Sequence, residues 1–89
     1  MQQKDIAIIN KLGLHARAAA KFVTLASRFD SRIEVARNGQ AVNGKSIMGI
    51  MMLAASKGTV LTISAEGPDE DKALDELEAL IQNRFQEAE

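Results

Sequence analysis

The chain has 89 residues, no cysteine, a formal net charge of −1 at pH 7 and a hydrophobic share of 46%. That length accommodates one domain, residues 1–89, and the composition excludes intrinsic disorder, disulfide stapling and cysteine-based metal sites, so neither a metal nor another cofactor is expected. With almost no net charge, no Tyr or Trp and no apolar run of membrane length, the chain is expected to be cytoplasmic, without a nucleic-acid partner or membrane insertion.

Residues 4–9 read as a first strand with Ile6 and Ile8 on one face, and 10–13 break the pattern. Ala19, Phe22, Val23 and Ala26 recur at helical spacing, which predicts a helix over 16–29. A second strand is expected over 32–37, with Ile33 and Val35 inward. Asn38-Gly39 supplies a pair suited to positive φ, so 40–43 should return as a short third strand. A short helix over 46–55 opens on a serine cap and closes near Gly58. Residues 59–66 alternate as a fourth strand, with Leu61 and Ile63 on one side. After Gly67-Pro68 a last helix is expected over 69–85, acidic at its start, as the helix dipole favours, with Leu74, Leu77 and Ile81 as its buried stripe. The order βαββαβα implies a two-layer α+β domain with helices on one face of a mainly antiparallel sheet. Pattern does not fix the strand order: a ferredoxin-like arrangement and a different two-layer order of the same elements fit equally.

The only histidine, His15, stands in Gly13-Leu14-His15-Ala16-Arg17, where a loop turns into the first helix. First-turn amides of a helix lack intrahelical partners, so an anion beside His15 would meet them and the positive end of the dipole. The same field should disfavour imidazolium and keep the ring neutral and nucleophilic. Arg17 adds a fixed charge with a planar fork of donors suited to phosphate oxygens. On spacing alone, a histidine that merely caps the helix fits as well.

A second segment, Lys45-Ser46-Ile47-Met48-Gly49-Ile50-Met51, starts the second helix. Ser46 is a natural N-cap. The helix after it is apolar on nearly every side. Ile50, Leu53 and Ala54 are expected to pack on the sheet, which leaves Ile47, Met48 and Met51 partly exposed as a docking patch, with Ala20 and Thr24 on its rim. Methionine suits a surface that must fit several partners in turn.

These two segments, with Asn10 ahead of the first, resemble HPr, the histidine-containing phosphocarrier family of the bacterial phosphoenolpyruvate-dependent sugar phosphotransferase system. The resemblance spans essentially the whole chain. It implies an open-faced sandwich, a four-stranded antiparallel sheet with three helices on one face. It also implies that Enzyme I phosphorylates His15 on Nδ1, that Arg17 stabilises the transferring phosphoryl group, and that the group passes to sugar-specific IIA components. Ser46 would be the target of HPr kinase/phosphorylase, and the chain would work as a monomer in transient complexes, a carrier and not an autonomous enzyme. The family usually has proline after the arginine, whereas this chain has Ala18, which restores an N–H in the first helical turn. The alternatives are a paralogous regulatory or nitrogen-related phosphocarrier, and a small interaction domain of ferredoxin-like order in which His15 only caps a helix. An independent hydrolase is disfavoured, because the sequence offers His15 no nucleophile–base–orienter set.

Overall fold

The computed structural model describes residues 1–88. The elements run β1 (Gln2–Ala7), α1 (Ala16–Ala26), β2 (Arg32–Arg37), β3 (Gln40–Asn43), α2 (Ile47–Met52), β4 (Val60–Glu66) and α3 (Glu70–Gln82), followed by a tight turn over Arg84–Gln86. The four strands form one antiparallel sheet in the order β1-β4-β2-β3. Placing β4 between β1 and β2 settles the strand order that pattern left open, since a ferredoxin-like sheet puts β3 there.

Alternation along the strands decides which side of the sheet is covered. Ile6 lies opposite Leu61, and Val35 opposite Ile63. All four are buried, joined by Phe22 and Ala26 from α1, Ile50 and Leu53 from α2, and Leu74, Leu77 and Ile81 from α3. Removing each large apolar side chain from water contributes roughly 1.5–3 kcal/mol, so this helix-covered face holds the fold together. The other face stays polar: Thr62 Oγ1 donates to Asp5 Oδ1 at 2.7 Å across the β1–β4 pair. The β2–β3 hairpin turns on Asn38 (φ 50°) and Gly39 (φ 82°), the positive-φ pair its sequence promised.

Several boundaries differ from expectation. The first strand pairs over Gln2–Ala7. Ile8 still exchanges backbone hydrogen bonds with the loop before β4, through Thr59 and Gly58. The first helix ends at Ala26, tightened by i→i−3 bonds from Arg28 to Leu25 and from Phe29 to Ala26. Ala54, expected inward, is exposed. It adopts φ 50° just past α2, and Arg37 Nη1 donates to the carbonyls of Leu53 and Ala54 there. The last helix ends at Gln82, and Arg84, Phe85 and Gln86 then take φ of 55°, 53° and 65°.

Asp69 precedes α3 but does not cap it with its side chain. Its carboxylate reaches instead to the α1–β2 loop, accepting from the backbone N–H groups of Asp30 and Ser31 at 2.9 Å and from the Ser31 hydroxyl. The Ser31 hydroxyl and the two amides hold the Asp69 carboxyl below its ordinary value. A depressed carboxylate stabilises the fold above its unfolded-state pKa, and that contribution is lost as pH falls through the folded value. Thermal unfolding followed from pH 7 downward should therefore show a falling Tm in the acid limb. Asp69→Asn should lower Tm at neutral pH and make that limb shallower; an unchanged limb would show that this tie contributes nothing.

Candidate functional site

The site is built at the entry to α1. Asn10, fully buried, closes the turn before it: Nδ2 donates to the Gly13 carbonyl at 2.8 Å, and Gly13 N–H returns to the Asn10 carbonyl at 3.2 Å. Leu14 is buried and donates its N–H to the Ala55 carbonyl at 2.8 Å, which ties this loop to the segment after α2. His15 follows as the N-cap residue in an extended conformation, and its carbonyl accepts the first helical bond from Ala19 at 2.9 Å. Its side chain makes no cap hydrogen bond. Helix geometry leaves the N–H groups of Ala16, Arg17 and Ala18 without intrahelical acceptors. Ala18 itself is buried, so the methyl group packs inward while its amide belongs to that uncapped turn.

The imidazole is partly exposed, at 28%. It lies in an open cleft with Lys11, Leu12, Arg17, Lys21 and Glu87. Arg17 is exposed and also lines the neighbouring groove along α1, with Ala20, Lys21, Thr24 and Arg28. The structure thus brings His15, Arg17, Ala20 and Thr24 onto one side of α1. An anion entering the cleft would meet uncapped amides and a guanidinium together, an arrangement suited to a phosphoryl group. Among the described residues, no three His, Asp or Glu side chains gather to hold a metal ion, and no helix is long and apolar enough to cross a membrane.

Sequence reasoning missed Glu87. Its Oε2 meets His15 Nε2, and its Oε1 accepts from Asn10 Nδ2 at 2.9 Å. Burial pushes the Glu87 carboxyl up, but the hydrogen bonds from Asn10 and His15 and the nearby basic groups of His15 and Lys21 outweigh it, so it sits below the usual range. The ring therefore has a carboxylate beside it as well as the start of α1. The separation of 72 residues between the partners left no local signal.

Ser46 caps α2 as expected, its Oγ accepting the Gly49 N–H at 3.1 Å. Ile47, Met48 and Met51 are exposed by 42%, 74% and 43%, which is the split of α2 that a two-layer fold predicts. Met52 and Leu12, both missed, are also exposed, by 65% and 68%; Met52 lies on α2, and Leu12 lines the His15 cleft. Thr24 is exposed and Ala20 half-buried.

Comparison with known proteins agrees with this geometry. Residues 2–83 match the family model described as the phosphotransferase system HPr component phosphorylation site. A phosphocarrier protein HPr from Cupriavidus necator is 57% identical over 89 residues, covering all of both chains. A crystal structure of HPr from Thermoanaerobacter tengcongensis superposes with a TM-score of 0.96 at 50% identity, again covering both chains completely. A structure described as an HPr dimer from the same organism gives 0.79 at 52% identity, covering 98% of this chain and all of the other.

Proposed function

The chain belongs to the HPr phosphocarrier family of the phosphotransferase system, and on that footing we propose that His15 accepts a phosphoryl group from phosphorylated Enzyme I and passes it to sugar-specific IIA components in the cytoplasm. One observation supports this reading above all: His15 occupies the N-cap of α1 without capping it. Ala16 and Arg17 line the cleft that a phosphoryl group would enter, and first-turn amides have no intrahelical acceptors. In the forward step the Nδ1 lone pair forms a bond to phosphorus. The bond from phosphorus to the donor breaks, its electron pair leaving with the donor. Charge on the phosphoryl oxygens is then met by Arg17 and the uncapped amides. In the onward step the N–P bond breaks and the pair returns to Nδ1.

Docking falls to the apolar surface of Ile47, Met48 and Met51 with Ala20 and Thr24, in transient complexes made by a monomer. Ser46 is the regulatory position. A phosphate on its Oγ would sit at a helix N-terminus that tolerates anions and would set negative charge beside the docking surface, repelling acidic partners.

Incubation with Enzyme I and phosphoenolpyruvate tests the reading. An acid-labile phosphate should appear, NMR should place it on His15 Nδ1, and His15→Ala should abolish it. A wild-type chain that stays unmodified would overturn the carrier role. HPr kinase/phosphorylase with ATP should separately give an acid-stable phosphate that Ser46→Ala removes.

A further inference from the structure

We propose that Glu87 is a positioning residue for the phosphoryl-accepting ring: its carboxylate accepts the Nε2 proton of His15, fixes the tautomer whose lone pair lies on Nδ1, and balances the ring's charge once that nitrogen is phosphorylated. The proposal rests on the reading of His15 as the acceptor and adds a residue to it.

Two independent observations support the assignment. The first is how firmly the carboxylate is held. Glu87 Oε2 faces Nε2, while Oε1 is fixed by Nδ2 of Asn10, a side chain that is fully buried and also fastened to the Gly13 carbonyl. An ionised carboxylate only accepts, and a neutral imidazole carries one N–H and one lone pair. The depressed Glu87 carboxyl is ionised at neutral pH. The ring proton therefore belongs on Nε2 and the nucleophilic pair on Nδ1, the nitrogen the carboxylate does not touch.

The second is the backbone that delivers it. One left-handed residue is enough to end a helix, yet here Arg84, Phe85 and Gln86 are all left-handed and none is glycine. Such a run persists only where its surroundings over-determine it. Phe85 is completely buried, Lys21 Nζ donates to the Phe85 carbonyl at 2.7 Å, and the N–H groups of Gln86 and Glu87 bond back to Asn83 and Arg84 at 2.9 Å. The turn reverses the chain out of α3 and brings Glu87, in extended conformation, onto His15. Strain of this kind exceeds what stopping α3 requires, and it brings Glu87 to the ring.

Chemically, the phosphoryl step then needs no proton to leave. As Nδ1 forms its bond to phosphorus and the donor departs with the old bonding pair, positive charge spreads over the ring to Nε2–H, where Glu87 already faces it. When the phosphoryl group moves on, the pair returns to Nδ1 and the neutral tautomer is restored. Among the described residues, the other charged side chains lining the cleft are Lys11, Arg17 and Lys21, and Glu87 supplies the carboxylate.

The test uses the full chain labelled with ¹⁵N-histidine, as wild type, Glu87→Gln and Glu87→Ala. In the wild type, NMR at neutral pH should show one downfield, slowly exchanging ring proton coupled to Nε2. Glu87→Gln should move it upfield, and Glu87→Ala should lose it to exchange with water. With Enzyme I and phosphoenolpyruvate, kcat for phosphoryl acceptance should fall about tenfold or more with KM for the chain unchanged, as when other histidine-orienting groups are removed. An unshifted proton signal in both variants, or a raised KM with kcat intact, would overturn the proposal; the latter would make Glu87 a docking group. A wild-type chain that shows the Nε2 signature but takes no phosphate would overturn the carrier reading and leave the positioning contact standing. Glu87→Gln, close in volume, keeps the result interpretable if Glu87→Ala loosens the terminal turn.

Discussion

Arg17→Ala is expected to slow phosphoryl acceptance by His15 on the order of 10²–10³-fold, the usual cost of deleting one preorganised donor from developing oxyanion charge. Arg17 is exposed at the second position of α1, in the same cleft as the imidazole. Its guanidinium is free to turn onto a phosphoryl group, and its removal leaves no cavity in the core. Stability should therefore change by no more than about 0.5 kcal/mol, as for ordinary surface changes. Arg17→Lys should recover only part of the rate, because an ammonium restores the charge without the planar pair of donors that spans two phosphoryl oxygens. Rates of phosphorylation by Enzyme I with phosphoenolpyruvate, read beside thermal unfolding of the same samples, separate the two effects. A full rate in Arg17→Ala would assign the oxyanion charge to the uncapped amides alone. A large fall in Tm would instead give the arginine a structural role.

The strands were legible because alternation is a direct record of burial. Ile33 and Val35, like Leu61 and Ile63, point inward as their spacing demands. The helix ends were not, for a reason visible at two phenylalanines. Phe29 follows Ala26, and Phe85 follows Ile81, at helical spacing, and both are buried. At each the backbone has already left the α conformation, through i→i−3 bonds in one case and a left-handed turn in the other. Apolar periodicity reports which side chains reach the core, not which amides are hydrogen-bonded to the fourth residue back. The site divides along the same line. His15 and Arg17 are two residues apart and share a helix start, so local physics found them. Glu87 enters by a reversal of the chain, and an acid in a charged terminal stretch looks like any solvated surface residue.

Gly13→Ala should couple that local geometry to both stability and activity. Gly13 has φ +67°, and a Cβ placed there would lie 2.6 Å from the Ala55 carbonyl oxygen and 2.9 Å from Ser56 Cα. Both neighbours are backbone, so neither can swing aside as a flexible side chain would. The left-handed conformation costs roughly 1–2 kcal/mol for a residue with a Cβ, and forced overpacking adds about 1–3 kcal/mol. The sum of about 2–5 kcal/mol corresponds to a Tm fall of at least 8 °C in a domain of this size. The oxygen struck is the one that accepts the Leu14 N–H, so relief of the clash must release Leu14 and move His15 beside it. Phosphoryl acceptance measured on the folded fraction should therefore fall as well. Gly39→Ala supplies the control: its φ is +82°, yet nothing lies within 4 Å of the added methyl group. It should cost only the conformational part and leave phosphorylation by Enzyme I at the wild-type rate. Equal activity losses in the two variants would mean that backbone strain in general, and not the seating of the loop before α1, governs the histidine.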